Sequence, residues 1–338
     1  MLPIKSLLCT ARKDSYNRDF FIMSNTKQLF RISKIFGAYY EIFSYENGSN
    51  LATLRGKLRL ESKKDRHPFV VGDLVYATLN DTTWIIDSLV ERKSILHRKS
   101  SAKDAHALCA NADYAVLIAS LKEPETKPGF IDRFLAAVSV SGMEPILVFN
   151  KTDLVTELEM NTATSYYHFL GYKIFTVSIH KKDSIQELKN FLQGKVSFLS
   201  GNSGVGKSSI VNILAESKIQ STQEISGSTS KGKHTTTNST AIFLPDDTVY
   251  IDSPGIKEWG ILHLEREDLL LSFPELSKAR EECSSEFCCE FGEHCKIQEI
   301  FQELPAERSK SMESMLESLE TPFRTTRRDH WNRAERGR

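Results

Sequence analysis

Apolar and polar positions divide the chain into three stretches. Over about 29–95 the runs RISKIFGAYYEIFSY, LATLRGKLRL, PFVVGDLVYATL and TWIIDSLVE are separated by turns rich in Gly, Asn, Asp and Lys. Short strands at that spacing predict a small β-barrel. Over about 112–265 the apolar runs YAVLIAS, PILVF, KIFTVS, KVSFLS, TAIFLP and TVYID read as strands with helical patterns between them. Phe130, Ile131, Phe134, Leu135, Ala137 and Val138 recur at helical spacing, and Ser184 with Glu187 forms a capping-box pattern. Alternation of this kind predicts an α/β domain with a parallel sheet covered by helices. From about 271 the chain is charged and helical, interrupted by a cysteine cluster, and the tail RTTRRDHWNRAERGR is too polar to pack alone. The expected division is therefore an extension at 1–28, a barrel at 29–98, an α/β domain at 99–270 and a helical region at 271–338.

Length and composition narrow this picture only a little. A chain of 338 residues, 40% hydrophobic and 26% charged, has room for two or three globular domains. Its formal net charge of zero means that any basic surface is local. No apolar stretch approaches the roughly 18 residues of a membrane helix. The first segment carries Asp14 and Asp19, so it reads as neither a signal nor a transit peptide. It is either a disordered extension or sequence ahead of a start at Met23. Four of the six cysteines fall between Cys283 and Cys295, which in a cytosolic protein suggests metal rather than disulfides.

The chemistry lies in the α/β stretch. Gly201-Asn202-Ser203-Gly204-Val205-Gly206-Lys207-Ser208 fits G-x-x-x-x-G-K-[ST], between the strand KVSFLS and the helical pattern SSIVNILAES. Such a loop wraps phosphates with backbone N–H groups at a helix N-terminus that includes Ser209. Lys207 is expected on the β- and γ-phosphates and Ser208 on Mg²⁺. Asp252-Ser253-Pro254-Gly255 follows the strand TVYI, about 45 residues after Lys207. Asp252 is expected beside Mg²⁺ through water, and the Gly255 N–H at the γ-phosphate. Between them SGSTSKGKHTTTNST has the composition of a loop over phosphates, in which Thr235 or Thr236 would add a hydroxyl to Mg²⁺.

Asn150-Lys151-Thr152-Asp153 follows the strand PILVF. An aspartate there can accept both N1–H and N2–H₂ of guanine, which adenine cannot satisfy. Asn150 can bond the purine edge or tie its loop to the phosphate loop, and the Lys151 stem can lie along base and ribose. Ser178, at the next strand end, is expected to present a backbone N–H to the guanine O6. GTP and GDP are thus the expected ligands. The usual order of GTPase motifs is inverted, since the base reader precedes the phosphate loop. A parallel sheet tolerates such a circular permutation because its strands keep their places in space.

A barrel, a permuted GTPase with NKTD, GNSGVGKSS, KGKHTTT and DSPGIKEWG, and a following cysteine cluster together resemble the RsgA/YjeQ GTPases over about residues 30–320. That resemblance implies an OB-fold barrel, a zinc-binding C-terminal domain, and GTP hydrolysis stimulated by the small ribosomal subunit late in its assembly. It implies a cytoplasmic, monomeric protein bound to that subunit and its rRNA, without a membrane. It turns Arg55, Lys57, Arg59, Lys63, Lys64 and Arg66, and the tail arginines from Arg324 to Arg338, into candidate phosphate contacts.

One Zn²⁺ is expected on Cys283, Cys288 and Cys295, but the family histidine two residues after Cys288 is Glu290 here. Cys289, His294 and Glu290 are the choices for a fourth ligand. The water-orienting Gln of Ras-like enzymes is also missing, since Ile256 follows Gly255. His234 is the candidate substitute, its other role being to bond the loop or RNA. Two functions follow: a GTP-hydrolysing assembly factor, or an RNA binder switched by GTP with negligible hydrolysis.

Overall fold

The computed structural model describes residues 26–56, 58, 69–99, 105–215, 239–281 and 296–320. These fall into two compact units, one from the described residues of 1–69 and 73–91, the other from 70–72 and the described residues of 92–338.

The first unit is a closed barrel of β1 (Gln28–Phe36), β2 (Tyr39–Ser44), β3 (Gly48–Leu54), β4 (Leu74–Asn80) and β5 (Thr83–Leu89), in the order β1-β2-β3-β5-β4. β3 and β5 run parallel, the other pairs antiparallel, and β1–β4 pairing closes the ring in an OB-like topology. Alternation sets the inside and outside of each strand. Phe30, Ile32, Ile42, Ala52, Val75, Ala77 and Ile86 are each at most 1% exposed, and Phe30 meets Trp84 edge to face at 4.6 Å. A bulge between Ile32 and Lys34 tucks Ser33 inward, where its hydroxyl donates to the Glu41 carboxylate.

The second unit is built on a six-stranded sheet, order β10-β9-β8-β11-β13-β12. Its strands are β8 (Tyr114–Ser120), β9 (Glu144–Asn150), β10 (Lys173–Thr176), β11 (Val196–Gly201), β12 (Thr240–Phe243) and β13 (Val249–Asp252). All pairs are parallel except the edge pair β12–β13, so the sheet is mixed rather than wholly parallel. Five residues, Leu244–Thr248, join these two strands, and a connection that short permits only a hairpin. A separate two-stranded ribbon, β6 (Ile95–Lys99) with β7 (Ala105–Ala110), precedes the sheet, and no run of the sequence reading anticipated it.

Helices α1 (Pro128–Ser139), α2 (Glu157–Phe169), α3 (Lys182–Leu192) and α4 (Lys207–Leu214) follow β8 to β11 in turn. α3 and α4 cover one face of the sheet with Ile185, Leu188, Leu192, Ile210, Val211 and Leu214. α1 carries the apolar residues expected of it, and Pro128 at its first position has φ pre-set for a helix. The capping box expected at Ser184 and Glu187 does not form. α3 starts at Lys182, and the Ser184 hydroxyl accepts instead from the Ser178 N–H at 3.2 Å, drawn to the neighbouring site loop. A reciprocal box forms one helix earlier, between Thr156 and Glu159 at the start of α2.

Beyond the sheet lie α5 (Arg266–Leu271), α6 (Pro274–Glu281), α7 (Lys296–Glu303) and α8 (Ala306–Glu320), with α8 packed along α1. One buried arginine joins them. The Arg308 guanidinium, on α8, is 4% exposed and donates to Asp132 on α1 and through Nε to Glu275 on α6 at 2.8 Å. A second bond to Glu275 measures 3.3 Å, and the guanidinium lies 4.2 Å over the Phe273 ring. Burial pushes the Asp132 carboxyl up while Arg308 pulls against it; burial works to lower the guanidinium, and the two carboxylates outweigh it and push it up. The Tyr167 hydroxyl also donates to Asp132 at 3.3 Å, and Arg308 adds the opposite charge that a buried carboxylate needs.

Among the described residues no helix is long and apolar enough to cross a membrane, and no group of three or more His, Cys, Asp or Glu is gathered for a metal. Cys283, Cys288, Cys289, Cys295, His294, Glu290 and the tail arginines lie outside the described residues, as do Lys57, Arg59, Lys63, Lys64 and Arg66.

Candidate nucleotide site

The C-terminal ends of β8, β9, β11 and β13 converge on one place, the end of a parallel sheet where ligands bind in open α/β folds. From β11 the chain turns through Gly201–Gly206 into α4. Gly204 and Gly206 have φ of +88° and +90°, which side chains disfavour. A Cβ on Gly206 would run into the Asn150 amide, and one on Gly201 into the Ile118 carbonyl. Glycine at these positions lets the loop lie close against the ends of β8 and β9.

Asn150 and Lys151, from the end of β9, reach across to that loop. The Asn150 amide donates to the Val205 carbonyl at 2.8 Å, and Lys151 Nζ to the Gly204 carbonyl at 2.8 Å and to the Glu123 carbonyl. The Asn150 Oδ1 is buried without a partner among the described residues, as are Asn202 Oδ1 and Ser253 Oγ. Lys151 itself sits at φ +61°, turning the chain so that Thr152–Leu154 forms a short 3₁₀ turn outside the strand. Asp153 is exposed on that turn and accepts from the Ser178 hydroxyl. That bond holds its carboxyl below the usual carboxylate range, so it stays an ionised acceptor. The Thr152 N–H donates to the Val177 carbonyl at 3.3 Å, which fixes the two loops side by side.

β13 brings Asp252 beside Lys207. The lysine is 9% exposed, and its ammonium is ion-paired with the Asp252 carboxylate. The DSPG turn then runs along the phosphate loop: Ser253 N–H donates to Leu199 O at 3.1 Å and Ile256 N–H to Gly201 O at 3.3 Å. Ile256 is 2% exposed, so its side chain is a packing residue. Trp259 follows, fully buried, edge to face with Phe134 of α1 at 5.3 Å. Ser208 and Ser209 are exposed at the first turn of α4.

The residues read from the sequence are thus brought together wherever the structure describes them, across 106 positions from Asn150 to Ile256. His234, Thr235 and Thr236 lie outside the described residues. Sequence reasoning missed Lys122, whose ammonium bonds Glu159 at 3.0 Å and the Leu154 carbonyl at 3.4 Å, and Pro124, 3.2 Å from where a Gly204 Cβ would lie. For the Glu159 side of that brace a signal existed, the T-x-x-E spacing at Thr156; for Lys122 and Pro124 none did.

With this geometry in hand, comparison with known proteins is decisive. The profile of the RsgA GTPase family matches residues 89–262. A protein of Flavobacterium johnsoniae called small ribosomal subunit biogenesis GTPase RsgA is 34% identical over 87% of this chain and 94% of its own length. The crystal structure of YjeQ from Thermotoga maritima superposes with a TM-score of 0.67 at 26% identity, covering 87% of this chain and 99% of that one. YloQ, described as a circularly permuted GTPase, shares the fold with a TM-score of 0.64 at 22% identity, over 90% of this chain and 98% of its own. On the motif order, the sheet and the site they form, this chain belongs to the RsgA GTPase family.

Proposed function

We propose that this chain hydrolyses GTP to GDP and phosphate in the biogenesis of the small ribosomal subunit, binding that subunit through rRNA. The observation that carries the reading is the bonding of Asn150 and Lys151 to the carbonyls of Val205 and Gly204, which makes one site of the base-reading and phosphate-binding loops. The names of its relatives supply the ribosomal part.

In this reading the ionised Asp153 selects guanine, with Ser178 holding its carboxylate in place and Thr152 fixing the loop. Asn150, through its unpartnered Oδ1, and the stem of Lys151 line the base and ribose. Backbone N–H groups from Gly201 through Ser209 take the phosphates, and Lys207 neutralises charge that grows on them during transfer. Mg²⁺, when bound, would supply further positive charge to the phosphates. Ser208 and Thr235 would hold it directly and Asp252 through water, and the donor set of hydroxyls and a carboxylate suits that ion. Gly255 offers its N–H to the γ-phosphate. Because Ile256 is buried, no side chain follows Gly255 to orient water, and His234 is assigned that task.

Cys283, Cys288 and Cys295, with Cys289, His294 or Glu290, are read as one zinc site, a set of soft ligands apart from the hydrolytic chemistry. The protein works as a cytoplasmic monomer.

Phosphate release measured with and without small subunits tests hydrolysis, and sedimentation with subunits in GDP and in a non-hydrolysable GTP analogue tests partnership. Stimulated release with tighter binding in the triphosphate state is expected. Nucleotide-dependent sedimentation without measurable release would instead identify an RNA binder merely switched by GTP.

A further inference from the structure

The loop from β8 to α1, residues 121–127, belongs to no nucleotide-binding motif, yet it touches the phosphate loop and the base-reading turn together. Its shape is fixed at its base. The Ser120 N–H donates to Thr126 Oγ1 at 3.1 Å, the Thr126 N–H to the Ser120 carbonyl at 2.7 Å, and the Ser120 hydroxyl to the Lys122 carbonyl at 2.6 Å. Ser120 and Thr126 are buried, so water does not compete for these bonds. Three consecutive residues then reach the site. Pro124 lies against Gly204 of the phosphate loop, and the Glu123 carbonyl accepts from Lys151 Nζ. The Lys122 ammonium bonds the Glu159 carboxylate at 3.0 Å and, at a longer 3.4 Å, the Leu154 carbonyl.

Leu154 closes the 3₁₀ turn that carries Asp153, and Glu159 stands in the first turn of α2 just beyond it. One Glu159 oxygen takes Lys122 and the other the Thr156 N–H at 2.7 Å. The Thr156 N–H and then Lys122 hold that carboxyl down at about 2, a full charge at neutral pH. We propose that Lys122 is a positioning residue for guanine recognition: with Glu159 it ties the far end of the 3₁₀ turn to the fixed 121–127 loop. The proposal rests on Asp153 as the guanine reader and adds a residue outside the motifs that define it. The near end of the turn is already fixed, by the Thr152 N–H on the Val177 carbonyl and the Ser178 hydroxyl on Asp153. A turn of three residues makes too few bonds of its own to hold the other end. Without Lys122 that end must be ordered when the nucleotide binds, which lowers affinity.

The test titrates a fluorescent GDP analogue into the full chain as parent, Lys122→Met, Asp153→Asn and the double variant. The side chains of Lys122 and Glu159 are 49% and 47% exposed, and pairs so exposed contribute little to folding. Lys122→Met should therefore melt within about 2 °C of the parent. It should nevertheless bind GDP roughly three- to fivefold more weakly, through faster release. Lys122→Arg, which keeps the charge, should return affinity to within about twofold of the parent. In the Asp153→Asn background Lys122→Met should change affinity by less than about 1.5-fold, because the tie then has no reader to position. A lysine that served only the fold would show the same loss in both backgrounds. That result, or Lys122→Met binding like the parent, overturns the proposal. Should Asp153→Asn bind GDP as tightly as the parent, the base-reading assignment falls, and Lys122 as its support falls with it. Should Asp153→Asn bind weakly while Lys122→Met matches the parent, the role of Lys122 alone is removed.

Discussion

Replacing Arg308 by methionine tests the claim that one buried cation ties the C-terminal helices to α1. The side chains of Arg308, Asp132 and Glu275 are 4%, 1% and 8% exposed, so water cannot take over the lost bonds. Methionine keeps most of the volume and the contact with Phe273, so the main cost is two carboxylates left without a cation, with the Tyr167 and Tyr166 hydroxyls still donating to them. Breaking a buried pair from one side costs about 3–5 kcal/mol. At roughly 2–4 °C per kcal/mol, the melting temperature should fall by roughly 6–20 °C. The deficit should also depend on pH. Burial already pushes the Asp132 carboxyl up, and losing Arg308 pushes it higher. A carboxyl raised in the fold costs stability above its unfolded pKa, and that cost disappears as pH falls and the folded form takes up the proton. Thermal scans of parent and variant from pH 8 to pH 5 should therefore converge toward the acid end. A fall of less than about 2 °C at pH 7, or a deficit just as large at pH 5 as at pH 8, would refute the reasoning.

Three further changes address the site. Gly206→Ala forces a methyl into the Asn150 amide at a φ of +90°, so titration with a fluorescent GDP analogue should show at least a roughly tenfold loss of affinity. Asp153→Asn places a donor toward the guanine N1–H, and competition should show the preference for GTP over ATP falling by about two orders of magnitude; an unchanged preference would remove Asp153 as the reader. Trp259 should change its emission when GDP is exchanged for a GTP analogue, read in a background where Trp84 and Trp331 are phenylalanine. Gly255→Ala should abolish that change and leave GDP affinity within about twofold, since its methyl meets Ser203 only at 3.8 Å and beyond.

Motif order, strands and the residues of the site could be read from the chain because each depends on neighbours in sequence. Buried parallel strands are continuous apolar runs, and loops at their ends carry glycine and short polar residues whatever the fold around them. The direction of β12 could not be read this way, since TAIFLP is equally apolar in either sense and only the brevity of Leu244–Thr248 settles it. α2 was expected only as a helical stretch between two strands, without named residues, because ELEMNTATSYYHF buries only Met160, Thr164 and Tyr167, too few to make an apolar stripe. Ser184 looked like a helix cap, but its hydroxyl was claimed by Ser178, six residues earlier. Arg308 was beyond reach altogether: its partner Asp132 lies 176 positions away, and an arginine among glutamates and serines gives no sign of being buried.

The order of strands in the sheet also sets the order in which it can be assembled on the ribosome. β8, β9 and β10 leave the exit tunnel first and occupy one contiguous half, β10-β9-β8, while the half that holds phosphate is still untranslated. Until β11 emerges, the nascent chain presents β8 as a bare edge whose residues Ala115–Ser120 are all destined for burial, the sort of edge that invites wrong pairing. The sheet then grows outward from that edge, β11 first and the β12–β13 hairpin last. Phosphate can engage only after β11 and α4 have docked, so GTP can act on chains past that point but cannot template the first half of the sheet. In an unpermuted GTPase the phosphate loop is made first and the base reader late, and translation would meet the two halves of the site in the opposite sequence.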